Sequence, residues 1–379
     1  MKVMTILGIR PDWIMMCKLI ERLDKDFEHI LVHSGQHYSY KLDQIFFEEL
    51  GVRVPDYHLD IGSGTQGEQV GHLLIESEKL MMNEKPDLVL TFSDANPSMS
   101  AISATKMHIP TAHIEAGMRS FDWRMPEEKN RRIVDSFSDY FFTPTNISFN
   151  NLTNEGVSKE KIHLVGKTVV DVMLAFKDKI DSSSILDDVD ISPEEYFLFE
   201  MHRPENIVDK TVIGNIVKSL NMINDKFGRK IIAPLHPRAI AGIRKLNLKI
   251  PDCVTVIDLV GFFEFNKLEK HALCVIADSG TSQEECCIYR TPHVTIRIST
   301  ERPETVETGS NIVVGDLTSE NILNSVETIL KRDTNWKIPY PSGASNKIAE
   351  TLRDLEDEMI KPKIWWDNRP IVYPFENLK

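Results

Sequence analysis

Cysteine is scarce in this chain and is spaced for neither bridging nor metal binding. Cys17, Cys253, Cys274, Cys286 and Cys287 are odd in number and contain no C-x-x-C pair. That excludes a disulfide framework and a cysteine zinc site, and predicts reduced thiols in a cytoplasm. Positive charge is also short, with 44 Lys and Arg against 57 Asp and Glu and a net charge of −13. Such a surface repels nucleic acid and anionic membrane, so neither is expected as a partner, and an anionic ligand would need a local basic pocket. No apolar run approaches the roughly 18 residues that a membrane span needs. The stretch Met1 to Gly8 is too short before Arg10 to be a signal h-region. The dinucleotide fingerprint G-x-G-x-x-G does not follow the first strand. Short repeats and low-complexity tracts are missing as well.

What is present fits a chain of two domains. The 379 residues, 41% of them hydrophobic, suffice for two ordinary cores. Short apolar runs alternate with amphipathic ones. Strands are predicted at 3–7, 29–33, 88–92, 111–114 and 140–143, and helices at 13–23, 41–50, 66–82, 97–107, 127–137 and 147–155. The polar stretch within 180–192 reads as a linker. The alternation then restarts, with strands at 196–200, 230–234, 254–257, 273–277, 293–296 and 311–314. The helices there fall at 210–227, 238–246, 263–271, 282–289, 319–331 and 346–359. Apolar strands buried on both faces and alternating with helices specify doubly wound parallel sheets. The expected fold is α/β, with two Rossmann-like domains facing a central cleft. Residues 1–180 form the first, residues 190–350 the second, and a tail over 351–379 packs back on the first.

Chemistry concentrates where predicted strands end, which is where open α/β sheets bind ligands. His113-Ile114-Glu115, running on to Arg119 and to Pro126-Glu127-Glu128-Lys129-Asn130-Arg131, gathers carboxylates and arginines after one strand. That is either a proton-transfer site for a polyanionic substrate or a salt-bridged loop. Arg10, after Gly8, can grip a phosphate bidentately or simply line a β-α turn. Asp94 is a crevice acid, an N-cap, or both. His202-Arg203 and His236-Pro237-Arg238 end successive strands and suit a pyrophosphate. Asp278-Ser279-Gly280-Thr281 opens a helix with backbone N–H groups free for phosphate, and a glutamate one turn in can take ribose hydroxyls. Thr300-Glu301-Arg302-Pro303-Glu304 adds another acid/base cluster. Phe265 can stack on a base or sit in a core.

In this order, Gly8 to Asp12, Ser93-Asp94, His113 to Arg119, Pro126 to Arg131, His202 to Asn206, His236-Pro237, Asp278 to Glu285 and Thr300 to Glu304 resemble the non-hydrolysing UDP-N-acetylglucosamine 2-epimerases. The resemblance runs from residue 1 to about residue 315. It implies a fold similar to the B-type glycosyltransferases, a UDP-amino sugar as substrate, a homodimer, and chemistry that needs no metal or other cofactor. In that family the C2 proton is removed and UDP expelled to give a 2-acetamidoglucal, and UDP then adds back after the proton returns to the opposite face. Position by position, the resemblance implies catalytic roles for Asp94, Glu115, Glu127 and His202. It implies diphosphate contacts from Arg10, His236, Ser279 and Gly280, with Arg119, Arg203, Thr281 and Arg302 in the same substrate site. Glu285 matches the ribose-binding acid, and Phe265 the aromatic beside uracil. The chain departs from the pattern at Ile9, Asp12 and Met15, where the family has threonine, glutamate and a lysine. It departs again at Ser93 and Ala95 around Asp94, and at Thr281. Gly280-Thr281 and the segment 296–302 look more like the branch acting on 6-deoxy-L-hexoses. Segments 33–38 and 119–122 look more like the N-acetylglucosamine or diacetamido-uronate branches. Tyr38-Ser39-Tyr40 replaces the sequence of the allosterically activated members.

Overall fold

A computed structural model describes residues 1–35, 47, 49–235, 237–246 and 248–359 of the protein. Two all-parallel sheets account for its strands. The first holds β1 (Lys2–Leu7), β2 (Glu28–His33), β3 (Tyr57–His58), β4 (Leu88–Phe92), β5 (Thr111–Ile114), β6 (Tyr140–Thr143) and β7 (Ile162–Leu164), in the order β3-β2-β1-β4-β5-β6-β7. The second holds β8 (Tyr196–Glu200), β9 (Lys230–Pro234), β10 (Val254–Ile257), β11 (Cys274–Ala277), β12 (His293–Thr295) and β13 (Asn311–Val313), in the order β10-β9-β8-β11-β12-β13. Both orders reverse direction once, between β1 and β4 and between β8 and β11. Those two crevices are the ligand-binding points of this architecture.

The strands form where their side chains are apolar on both faces. Val3 and Leu7 of β1 enter one core with Trp13, Leu19 and Leu23 of the helix Arg10–Asp26. Met4 and Ile6 enter the opposite core with Leu73, Leu80 and Met81 of the helix Gln66–Glu84. Each fully buried side chain of this size contributes about 1.5–3 kcal/mol. The helix Arg10–Asp26 carries Pro11 in its first turn, and Asp12 turns back to accept the backbone N–H groups of Gly8 and Ile9 at 3.1 and 3.2 Å. Gly8 has no room for a side chain. A Cβ there would lie 1.9 Å from Ser34 Oγ and 2.6 Å from Pro97 Cγ.

The expected alternation is present, with differences at the edges and in the connections. The edge strands β3 and β7 are too short to show a period of two, and only parallel pairing with β2 and β6 defines them. The helix Thr168–Ala175 was not expected. Its sequence, Thr-Val-Val-Asp-Val-Met-Leu-Ala, is rich in β-branched and apolar residues, and it is helical because its apolar face is buried against the helix Arg10–Asp26. The stretch read as a linker carries two short helices, Lys177–Asp181 and Ile185–Asp188, pinned by Ile180, Ile185 and Leu186. The span 97–107 opens with a 3₁₀ turn, Asn96–Met99, before the helix Ser100–Lys106. Most of the helix expected at 41–50 and all of 360–379 lie outside the described residues. The helix Ala344–Asp354 crosses back to the first sheet, where Ile348 and Leu352 join its core. No described helix is long and apolar enough to cross a membrane.

Candidate active site

The first-sheet half of the site is assembled on strained backbone. Ser93 and Glu115 directly follow β4 and β5, and both hold left-handed φ angles, 57° and 65°. Non-glycine residues take such angles at a cost of about 1–3 kcal/mol each and concentrate at functional sites. His113, fully buried on β5, ties the two strand ends together. Its Nε2 lies 2.8 Å from the Ser93 carbonyl and its Nδ1 lies 2.7 Å from Asp135 Oδ1. Asp135 also accepts the Gly117 N–H at 3.1 Å and pairs with Arg119 at 2.7 Å.

These ties bring Asp12, Asp94 and Glu115 into electrostatic reach of one another. Burial pushes Asp12 up to about 7 against its two backbone donors, and the charges of Asp94 and Glu115 add to the rise. Asp94 pairs with Arg131, and its carbonyl accepts Asn130 Nδ2 at 2.9 Å. Glu115 pairs with the buried ammonium of Lys167. The acids at 127 and 128 divide their roles. Glu128 is fully buried and holds Arg131 at 2.6 Å, Arg132 at 3.0 Å and the Ser120 N–H at 2.8 Å. Glu127 is half-buried, and its charge acts on Arg203 of the other half. Arg119 does not join this group. It is fully buried, and Asp135, Glu155 and the Met118 carbonyl take its donors.

The second half mirrors this arrangement around Asp278, at the end of β11. Asp278 is buried and accepts the N–H groups of His202 and Arg203 and the amide of Asn206, each at 3.0 Å. It thereby moulds the loop after β8. The His202 side chain is 44% exposed, with Nδ1 facing Glu200 and, at 3.2 Å, Asp278. Burial pulls the imidazole down, but the two carboxylates more than offset this and raise it to about 9. Glu200, His202 and Asp278 carry the donor types of a cation site, within 4.8 Å of one another. With Asp278 already accepting three N–H donors and His202 held cationic, the trio reads as a clamp on an imidazolium.

Between the halves lies a cavity of about 180 Å³ lined by Arg10, Met15, Phe265, Ser279, Thr281 and Glu285. Arg10 spans it, donating to the Val260 carbonyl at 3.2 Å. Gly280 caps the helix Thr281–Tyr289. A Cβ there would meet Arg302 Nη1 at 2.6 Å and Glu301 Oε1 at 2.9 Å. Glu285 is buried in that helix. Desolvation raises it to about 7, and its neighbour Glu269 is raised well above the usual range by the same cause. Phe265 lines the cavity and packs on the core of the second sheet. Met15 also has two settings, being 3% exposed within the core while contributing to the cavity wall. His236 lies outside the described residues.

A family model described as UDP-N-acetylglucosamine 2-epimerase matches residues 21–353. The chain belongs to this family. A UDP-N-acetylglucosamine 2-epimerase of Methanococcus maripaludis is 43% identical over 359 residues, covering 93% of this chain and 98% of the relative. A UDP-2,3-diacetamido-2,3-dideoxy-D-glucuronate 2-epimerase of Pseudomonas aeruginosa is 39% identical over 364 residues, 94% of this chain and all of the relative. Among solved structures, the Methanocaldococcus jannaschii UDP-GlcNAc 2-epimerase in complex with UDP-GlcNAc and UDP superposes with a TM-score of 0.87 at 42% identity. It covers 94% of this chain and 100% of that one. A glycosyltransferase of kitacinnamycin, 10% identical with a TM-score of 0.57, covers 95% of this chain and 99% of its own and extends the likeness in fold alone. The expected α/β fold of two Rossmann-like sheets, similar to the B-type glycosyltransferases, is the observed one.

Sequence reasoning missed Lys167, Glu284 and the tying role of His113 in this epimerase-family chain. Lys167 stands alone in the sequence, after a strand of three residues. Glu284 was passed over in favour of its neighbour. His113 lies inside the most informative motif, yet nothing in a linear sequence shows that its ring faces Asp135.

Proposed function

We propose that the protein epimerises C2 of a UDP-2-acetamido sugar, interconverting UDP-N-acetylglucosamine and UDP-N-acetylmannosamine by eliminating UDP and adding it back. The observation that carries this reading is the meeting, across one cleft, of two unlike surfaces. One carries Asp94, Glu115 and Glu127, whose charges act on Arg302 and Arg203 of the other, and the other adds a cationic His202 and a helix N-terminus at Ser279-Gly280-Thr281. Carboxylates withdraw and return the C2 proton, and cations with helix N–H groups stabilise the departing diphosphate. His202 supplies positive charge, or a proton, to the leaving group. Arg10, Ser279, Gly280 and Thr281 hold the diphosphate, Glu285 holds the ribose and Phe265 faces the uracil. Arg119 serves by fixing Asp135. In this reading the first half, residues 1–180, carries the sugar chemistry, residues 190–350 carry UDP, and residues 351–379 support the first half. The enzyme works without a metal, as a cytoplasmic homodimer supplying cell-surface polysaccharide synthesis, a setting supported by family resemblance.

A second substrate, a UDP-diacetamido uronate, is favoured by the full-length likeness to the Pseudomonas aeruginosa enzyme. Incubation with a panel of UDP-amino sugars, followed by NMR of the anomeric protons, tests the proposal. A C2 epimer should form from UDP-N-acetylglucosamine fastest. The absence of an epimer from every member would refute the reading, and faster conversion of the uronate would move the substrate assignment.

A further inference from the structure

Lys167 breaks local rules in a way that stability does not explain. It is the N-cap of the helix Thr168–Ala175, makes no side-chain cap hydrogen bond there, and puts a cation at the positive end of the helix dipole. Its side chain is 1% exposed and contacts two carboxylates, Glu115 of the first half and Glu284 of the second, the latter at 2.8 Å. Both carboxylates are buried. Glu284 also faces Arg302 at 3.2 Å, and Arg302 pairs with Glu301 below Gly280. Replacing a buried ion cluster by apolar residues of the same volume is often neutral or stabilising, so stability alone is a weak account of this one. The cluster links the carboxylate beside the sugar site to the first turn of the helix that lines the nucleotide cavity.

We propose that Lys167 is a positioning residue that fixes Glu115 at the reacting centre by tying it, through Glu284, to the nucleotide-binding helix. This rests on the epimerase reading above. Lys167 itself takes no proton from the sugar and does not touch the diphosphate. It restricts the Glu115 carboxylate to one placement, and a displacement of about 1 Å at a reacting group costs on the order of 100-fold in rate.

The test compares wild type, Lys167→Gln and Glu284→Gln by turnover of UDP-N-acetylglucosamine, by solvent deuterium entering C2, and by calorimetric UDP affinity. Lys167→Gln should cut turnover and deuterium entry about 100-fold while UDP affinity stays within about threefold. Glu284→Gln leaves Lys167 on Glu115 but cuts the tie, and should lower turnover about tenfold with UDP affinity again held. Turnover of Lys167→Gln within threefold of wild type overturns the proposal, as does UDP affinity falling in step with turnover. If Lys167→Gln does not fold, unchanged turnover in Glu284→Gln overturns it. A wild type that places no deuterium at C2 removes the epimerase reading and the positioning role together. A wild type that exchanges normally beside an equally active Lys167→Gln removes only the latter.

Discussion

Replacing His113 with phenylalanine keeps an aromatic ring at the site and deletes two hydrogen bonds at once. One is the 2.8 Å contact to the Ser93 carbonyl and the other the 2.7 Å contact to Asp135. A buried carbonyl left without its donor costs about 1–3 kcal/mol, and losing a bond to a charged group about 1.5–3 kcal/mol. Asp135 keeps Arg119 and the Gly117 N–H, so it is not stranded. The combined loss comes to roughly 2.5–6 kcal/mol. For a folding unit of 150–250 residues that is a Tm drop of roughly 5–24 °C. The same change frees the Ser93 peptide from its left-handed conformation, and Asp94 is attached to that peptide. Turnover should therefore fall by at least about tenfold at temperatures where the variant is folded. UDP affinity should hold, because the second half is untouched. Thermal melts, calorimetry and turnover on one preparation check all three. A stability loss below about 1 kcal/mol with near-normal turnover would refute His113 as the tie between the strand ends.

Other outcomes follow from single contacts. Glu285→Ala should weaken UDP by about 1.5–3 kcal/mol in calorimetry if the carboxylate holds the ribose. Gly280→Ala should lower UDP affinity and stability together, because the added methyl meets the buried Arg302–Glu301 pair at 2.6–2.9 Å; unchanged melting and binding would show that the pair can move aside. Turnover should fall as pH rises through about 9, where His202 loses its proton, and His202→Gln should remove that limb and be slow at pH 7. The same raised imidazole stabilises the fold fully below its ordinary value of 6.5, and that contribution disappears as pH climbs through about 9. A pH–stability curve with no His202-dependent loss in that window would contradict the clamp.

The fold was readable because buried strands carry their own pattern. Leu88–Phe92 and Tyr196–Glu200 have the predicted bounds, being short apolar runs closed by polar turns. The helix Thr168–Ala175 was not readable, since burial overrides the strand preference of its valines. The same division holds at the site. Residues placed directly after strands, such as Asp94, Glu115 and His202, announce a crevice, because strand ends are where such sheets bind ligands. Residues that reach the site from elsewhere carry no such signal. Lys167 meets Glu284 only because two sheets face each other, and Arg119 resembles a substrate arginine until its carboxylate partners are seen.

The account stands on proton removal at C2 of a UDP-2-acetamido sugar. Wild-type enzyme incubated with UDP-N-acetylglucosamine in heavy water, with the recovered sugar read by proton NMR and mass spectrometry, tests this directly. Deuterium should enter C2 of both recovered substrate and epimer, with loss of the H2 signal and a gain of one mass unit. Epimer formed with protium retained at C2, or substrate recovered unlabelled after long incubation with competent UDP binding, would contradict it.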